Sequence, residues 1–451
     1  MKFYDREKEL SVIRQLRKTA WNKGSRILVI TGRRRIGKTR LALESVHKKN
    51  HIYFFTKKKR IEEIILEWSN EIKNSLGEIY YGNFSSLEEL LKFLFDYSRK
   101  EPLVLIFDEI QNILSSEPSA FGTFQKIFDL EKEKSNALLV FTGSSYTLME
   151  KVFKNSREPL FGRASEIMRL SYLPLKVQAD ILKDNGLDSG IDLLHLYSIF
   201  DGIPKYIEEL IDLEGKSFKD RLSYLVTQRD FIWEEGDNLI REEFGRDYSS
   251  YFSILSAISR GRRKLNEIEE YTGIKDAGAY IKNLEDIYNM VERRLPITSR
   301  SKKERKGRYH IRDNFLDFWF RFIESKRNLK EIGKTGQAFI EIWQELPSYE
   351  GRKLEEMVIR KIIEENPDDL RFSKAGKYWD RKGKIEIDAV LWDQENKKVY
   401  LYEVKINKNK INKAVMEDLK KKGNMIPQFE DNEIFTGKAY IERQDIKIEL
   451  E

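Results

Sequence analysis

Residues 32–39 read Gly-Arg-Arg-Arg-Ile-Gly-Lys-Thr, and this phosphate-loop string stands in the context its chemistry requires. It follows a β-rich apolar run, Arg26–Thr31, and opens a segment with helical spacing. A chain that enters on a strand and leaves on a helix can turn its backbone N–H groups inward around phosphates, and the helix N-terminus adds favourable potential. Gly32 and Gly37 supply the backbone freedom, Lys38 is expected to reach the outer phosphates, and Thr39 to ligate Mg²⁺. Arg33, Arg34 and Arg35 fill positions that the pattern leaves free. They read as solvated loop charges, with phosphate contact as the sharper alternative, and Arg35 and Arg40 are grouped with the nucleotide-binding set.

Downstream, Leu103–Asp108 is an apolar run that ends in two carboxylates, Asp108 and Glu109. In an open α/β sheet the carboxyl ends of the strands are where ligands bind. Asp108 is therefore expected to support Mg²⁺, and Glu109 to orient or activate a water for attack on a terminal phosphate. The next strand, Ala137–Thr142, leads into Gly143-Ser144-Ser145. Ser144 reads either as a sensor of the terminal phosphate or as the N-cap of the segment that follows. Arg163, in Pro159-Leu160-Phe161-Gly162-Arg163, is a candidate for stabilising transferred charge, in cis or in trans. No Asn-Lys-x-Asp string accompanies the loop, so ATP is preferred to a guanine nucleotide.

Strands drawn at Arg26–Thr31, Ile52–Thr56, Leu103–Asp108, Ala137–Thr142 and Glu166–Leu170 alternate with helical segments, which predicts a parallel sheet covered on both faces. The chain has 451 residues, more than one core usually organises, and later segments change character. Residues 173–245 are helical throughout, like a lid. Residues 246–324 run helix, turn, helix, turn, helix and then a basic hairpin, the order of a winged helix-turn-helix. Arg260, Arg262 and Arg263, with the run from Arg293 to Arg312, concentrate positive charge there, as contact with DNA phosphates requires. Winged helices also dock proteins, so both partners stand. Phe315–Phe322 is aromatic enough for base stacking but reads better as a buried packing helix.

After a connector at 325–350, a helix from Gly351 to about Glu365 precedes a predicted hairpin, Lys384–Trp392 with Lys397–Ile406. With its symmetry point between Glu395 and Asn396, Asp388 lies opposite Glu403, and strand alternation puts Lys405 on the same face. Glu355 on the helix adds a fourth group. Two acids that hold a metal and a Lys that orients water are the components of a Mg²⁺-dependent phosphodiester nuclease, although any acidic and basic hairpin can mimic them.

Composition narrows the rest. Hydrophobic residues are 40% and charged residues 35% of the chain, with 82 Lys plus Arg against 75 Asp plus Glu and a net charge of +7. That is a globular chain whose surface tolerates nucleic acid without demanding it. Cys is absent, which excludes disulfides, thiolate metal sites and cysteine nucleophiles. The four His are scattered without zinc-ligand spacing. No secretion signal or apolar span of bilayer length is seen, so a cytoplasmic protein is expected.

Taken together, Phe3–Glu7, the Arg-rich loop, Phe107-Asp108-Glu109, Thr142–Ser145, Pro159–Arg163, Gly202-Ile203-Pro204, Phe315–Phe322 and Gly351–Glu355 make the chain resemble the archaeal ATPase family of the AAA+/STAND P-loop class that carries a C-terminal PD-(D/E)xK nuclease-like domain. The resemblance implies an α/β multidomain protein: an ATPase core at 1–172, a helical lid at 173–245, a winged helix at 246–324, a connector at 325–350 and a restriction-endonuclease-like domain at 351–451. It implies ATP and Mg²⁺ as cofactors, DNA, double-stranded or branched, as the partner, and a nuclease site at Glu355, Asp388, Glu403 and Lys405, with Asp388 and Glu403 on the metal. Leu354 departs from the aromatic residue common before that Glu. A homo-oligomer is permitted. Two functions stand: an ATPase that binds and cuts DNA, or a nucleotide-switched regulator or adaptor with a silent nuclease fold.

Overall fold

A computed structural model describes residues 1–46, 50–77, 83–143, 149, 152–301, 304, 306–365, 367 and 370–450. The chain divides into two compact units, Phe3–Tyr172 and, with Met1–Lys2, Leu173–Glu451.

The first unit holds a five-stranded sheet in the order β2-β3-β4-β1-β5, all parallel: β1 (Arg26–Gly32), β2 (His51–Phe55), β3 (Leu103–Asp108), β4 (Ala137–Gly143) and β5 (Glu166–Leu170). The expected strands are borne out to within a residue at each end. Every residue of β3 and β4 is buried, because parallel sheets are covered on both faces and their strands read as unbroken apolar runs. Ile27, Val29, Leu105, Phe107, Leu139 and Phe141 pack against the helices Ile61–Leu76, Leu87–Lys100 and Ala120–Glu131. The helices Glu7–Lys23 and Lys38–Ser45 contact β1 and β4.

Under the carboxyl edge the core is aromatic. The Phe107 ring stacks on Phe54 at 5.0 Å and meets Phe124 edge-on at 5.2 Å. Such pairs add to area burial, and they anchor the residue that directly precedes Asp108.

The second unit begins with helices Leu175–Asp184, Gly190–Phe200, Pro204–Ile211, Phe218–Gln228 and Phe231–Phe244. Ser189 with Asp192 and Ser217 with Asp220 form capping boxes, which satisfy N–H groups that the first helical turn leaves without partners. Helices Tyr248–Ser259, Leu265–Thr272 and Ala277–Asp286 follow, then the antiparallel pair β6 (Val291–Arg294) and β7 (Arg308–Ile311). Phe315, Phe318, Trp319, Phe320 and Phe322 are fully buried, so the aromatic run is core and not a stacking platform. Gly236 lies so close to Trp319 that a Cβ there would sit 2.1 Å from the indole.

A single helix then runs from Thr335 to Glu365 with Pro347 inside it. The expected start at Gly351 is corrected: the second half of the predicted connector and the predicted helix are continuous. The helix tolerates this exposed proline, which removes an N–H from it, because its buried face, Ala338, Phe339, Ile342, Leu346 and Tyr349, holds it in place. The last sheet has the order β12-β11-β10-β9-β8: β8 (Lys374–Trp379), β9 (Glu386–Asp393), β10 (Lys398–Lys405), β11 (Glu433–Glu442) and β12 (Asp445–Leu450). Its neighbours are antiparallel except β10 and β11, which run parallel and are joined through the helix Lys413–Asn424, as a parallel crossover requires. Among the described residues no helix is long and apolar enough to cross a membrane.

Candidate functional site

At the carboxyl end of β1 the backbone takes Arg35 and Gly37 into the left-handed region, with φ of 67° and 92°. Gly37 is the N-cap of the helix Lys38–Ser45, and glycine adopts this conformation without the steric cost an L side chain meets. The turn folds the loop back over the start of the helix. Lys38 is only 5% exposed, and its ammonium donates to the carbonyls of Gly32 and Arg33, each at 3.1 Å. Burial lowers the Lys38 pKa, while the nearby Glu109 and Asp108 carboxylates oppose that shift. Arg34 and Arg40 are exposed, and Arg33 and Arg35 half-buried.

Asp108 is 2% exposed at the end of β3. Three hydroxyls converge on it: Thr39 donates to Oδ2 at 2.6 Å, Tyr53 donates to Oδ2 at 2.8 Å, and Thr142 donates to Oδ1. A buried carboxylate persists only where its lone pairs are satisfied. Burial first, and then Asp108 and its hydrogen bond, raise the Tyr53 pKa far above its ordinary value, so this hydroxyl stays a donor. Glu109 follows with φ of 50°. This strained turn carries its half-buried side chain out of the strand line, where the Gln111 amide donates to it.

The structure therefore brings Gly32, Gly37, Lys38, Thr39, Asp108 and Glu109 together at one edge of the sheet. Ser144 lies outside the described residues. Arg163 is not brought to the site: its Nη2 is 2.8 Å from Asp129 and its Nη1 donates to Pro159 O at 2.7 Å. Asp129 precedes Lys132, whose carbonyl accepts from Ser25 N just ahead of β1. That is the amino edge of the sheet, the end away from the loop. The expectation that Arg163 serves this site in cis is corrected, because its guanidinium is tied to a carboxylate at the opposite edge. Sequence reasoning missed Tyr53, Thr142 and Gln111. Parallel register was the available signal, since Tyr53 and Thr142 stand on the two strands flanking β3.

A mixed set of hydroxyl and carboxylate oxygens, Thr39 and Asp108 in hydrogen-bond contact beside a phosphate loop, is a donor set that suits Mg²⁺ shared with phosphate oxygens.

The C-terminal quartet also converges, but differently. The β9–β10 ladder runs from Lys398 opposite Asp393 to Tyr402 opposite Ala389, which is the register read from the sequence and sets Glu403 next to Asp388. Past the last pair Asp388 turns inward, and its Oδ2 accepts from Val404 N at 3.0 Å. The Lys405 ammonium lies 2.5 Å from Glu403 and 3.3 Å from Asp388. Burial alone would lower its pKa, and the two carboxylates more than offset that and raise it. Glu355 lies 2.5 Å from Lys377 of β8, a residue the sequence reading did not single out. Burial, reinforced by Asp388, raises the Glu355 pKa despite Lys377. Among the described residues no group of three or more His, Asp or Glu side chains is placed to hold a metal, while the Asp388 and Glu403 carboxylates both lie against the Lys405 ammonium.

The basic hairpin is partly committed within its own unit. Arg294 pairs with Glu356 and Glu292, Arg308 with Glu386 at 3.1 Å, and Arg312 with Glu292 at 3.9 Å. Trp379 of β8 donates to Lys306 O at 3.1 Å. Arg260, Arg262 and Arg300 are exposed. Lys302, Lys303 and Arg305 lie outside the described residues.

Comparison with known proteins places these features. Residues 3–210 match the family described as an ATPase domain predominantly from Archaea, and residues 319–417 match a family of archaeal and bacterial proteins of unknown function. An uncharacterized protein of Methanocaldococcus jannaschii, MJECL04, is 31% identical over 432 residues, covering 94% of this chain and 92% of its own. The Walker-type ATPase PABY2304 of Pyrococcus abyssi is similar in structure, with a TM-score of 0.51 and 18% identity over 71% of this chain and 96% of that one; this likeness shows the α/β fold of a P-loop NTPase. The ORC2 protein of Aeropyrum pernix, in ADPNP–ADP complexes, matches more loosely, at a TM-score of 0.45 and 14% identity over 73% of this chain and 95% of that one.

Proposed function

Because this chain belongs to the archaeal family of the Methanocaldococcus protein, with an ATPase domain followed by a C-terminal domain of unknown function, we propose that it binds and hydrolyses ATP and uses the cycle to switch its action on DNA. The single observation that carries the reading is the convergence of Lys38, Thr39, Asp108 and Glu109 at the carboxyl edge of β1 and β3.

The loop N–H groups and Lys38 hold the phosphates. Thr39 and Asp108 would hold Mg²⁺, which when bound neutralises charge on the β- and γ-phosphates. Tyr53 and Thr142 keep the Asp108 carboxylate aimed by hydrogen bonding its two oxygens. Glu109 orients a water and takes its proton as the water oxygen bonds to the terminal phosphorus and the bridging P–O bond breaks, releasing ADP. Gln111 fixes the Glu109 carboxylate for that task. Lys38→Ala is expected to abolish nucleotide binding, and Glu109→Gln to retain binding but lose turnover by about a hundredfold or more. Normal hydrolysis by Glu109→Gln would overturn the assignment.

In this reading residues 173–245 act as a lid, 246–324 as a winged helix that meets the DNA backbone, and 351–451 as a nuclease-like fold that serves binding. The order of helices before β6 and β7, and the exposure of Arg260 and Arg262, support the DNA contact. The silent reading asks only that the fold bind DNA, and it needs no metal between Asp388 and Glu403. The second reading, a Mg²⁺-dependent nuclease, is supported by the juxtaposition of Asp388, Glu403 and Lys405. Incubating linear and branched DNA with Mg²⁺ decides between them: cleavage by the unaltered protein and none by Glu403→Ala or Lys405→Ala would select the nuclease.

A further inference from the structure

Within the second unit, a pocket opens between the helix Tyr248–Ser259, β7 and the helix Thr335–Glu365, lined by Arg263, His310, Asp317, Arg321, Arg352 and Lys353, with Glu356 and Tyr349 beside them. We propose that this pocket is a binding site for a phosphate group, separate from the nucleotide loop and independent of the ATPase reading.

The charges around the pocket do not balance. Both carboxylates there already have partners: Asp317 is 2.9 Å from Lys353 and accepts from the Tyr349 hydroxyl at 3.2 Å, and Glu356 is paired with Arg294. The cations that remain exceed them. Among the described residues Arg263 finds no side-chain hydrogen bond, and its Nε is buried without a partner. The Arg321 Nε is buried without a partner too, and the hydrogen bond this side chain does make is a long one, 3.4 Å, from Nη1 to Ser259 O. Arg352 stands exposed on the same helix as Lys353.

Arg263 feels Asp317 without hydrogen bonding to it, and the Arg321 guanidinium lies over the Phe322 and Tyr349 rings at 5.6 and 5.9 Å; a buried N–H without an acceptor is costly, and an anion with several oxygens beside both residues would satisfy their Nε groups. Planar guanidinium forks match phosphate oxygens two at a time. His310 adds a donor without adding charge: burial, then Arg294 and Arg263, hold its pKa well below the ordinary value, so the ring is neutral near pH 7. A neutral ring beside crowded arginines avoids further repulsion while leaving an N–H for the ligand. Burial lowers the Arg263 pKa; Asp317 and Glu356 oppose the shift, and Arg352 and Arg294 add to it.

The phosphate could come from a free ion or small phosphoester, or from a nucleic acid backbone, and the two are separable. The test uses the full chain carrying Lys38→Ala, so that the nucleotide loop does not contribute, in acetate buffer. Inorganic phosphate and, separately, a short duplex oligonucleotide are titrated by calorimetry, with thermal melting as a second readout. Saturable binding that Arg321→Gln and Arg352→Gln each weaken by about tenfold or more is the expected result; one lost bidentate contact is about 1.4 kcal/mol or more. Binding of inorganic phosphate assigns the small-ligand source, and binding of duplex alone, with the same sensitivity, assigns the backbone. Arg352 is exposed, so its variant retains the fold even where Arg321→Gln does not. The absence of saturable binding by either probe, or binding that the Arg352→Gln protein retains in full, overturns the proposal.

Discussion

Single side chains in this protein are set by how few partners a buried polar group can find. Asp108 is held by three hydroxyls, and losing one leaves the others in place. Tyr53→Phe is therefore expected to lower ATP turnover by about tenfold, since one hydrogen bond to a charged group is worth about 1.5 kcal/mol or more; turnover equal to that of Glu109→Gln would show that Tyr53 does more than aim Asp108. His310 gives a pH signature. Its folded-state pKa lies below the ordinary value near 6.5, so the unfolded chain takes up a proton that the folded chain refuses. The stability it contributes is present above about pH 6.5 and is lost as pH falls below it. Denaturant titrations should show stability declining as pH falls below about 6.5, and a His310→Gln protein should decline less.

At the level of elements, two close approaches decide where pieces can pack. Gly236→Ala forces a methyl into the Trp319 ring and is expected to cost roughly 1–3 kcal/mol by overpacking, or more where the ring cannot yield, measured by urea unfolding. Pro347 sits exposed inside the long helix, where it removes an N–H and clashes with the preceding turn. Pro347→Ala should stabilise the protein by up to about 3 kcal/mol; a loss of stability instead would mean that the packing around the helix requires the proline. The long helix also shows why the predicted start at Gly351 failed. A proline before Ser348 reads locally as a break, yet the apolar face on both sides of it stays buried, and packing outweighed the local penalty. β8, β11 and β12 escaped notice. β8 is short and mostly half-exposed, whereas β11 and β12 carry the period-two alternation of a half-buried strand, Ile446, Ile448 and Leu450 in β12 among them, which was present in the sequence and went unread.

For the molecule as a whole, sequence and tertiary structure contributed different things. The phosphate loop, the five parallel strands and the Asp108–Glu109 pair were legible because each is local: a glycine pattern, apolar runs and a strand that ends in charge. The β9–β10 register was legible as well, since a hairpin's symmetry point sets which residues face each other. What those residues face was not. That Lys377 pairs with Glu355, that Arg163 is bound to Asp129 at the far edge of the sheet, and that hairpin arginines are spent on Glu356 and Glu386 all depend on residues distant in the chain. Periodicity and spacing report which way a side chain points along its own element. The charge it meets there is supplied by another element, and only the folded chain brings the two within a few ångströms.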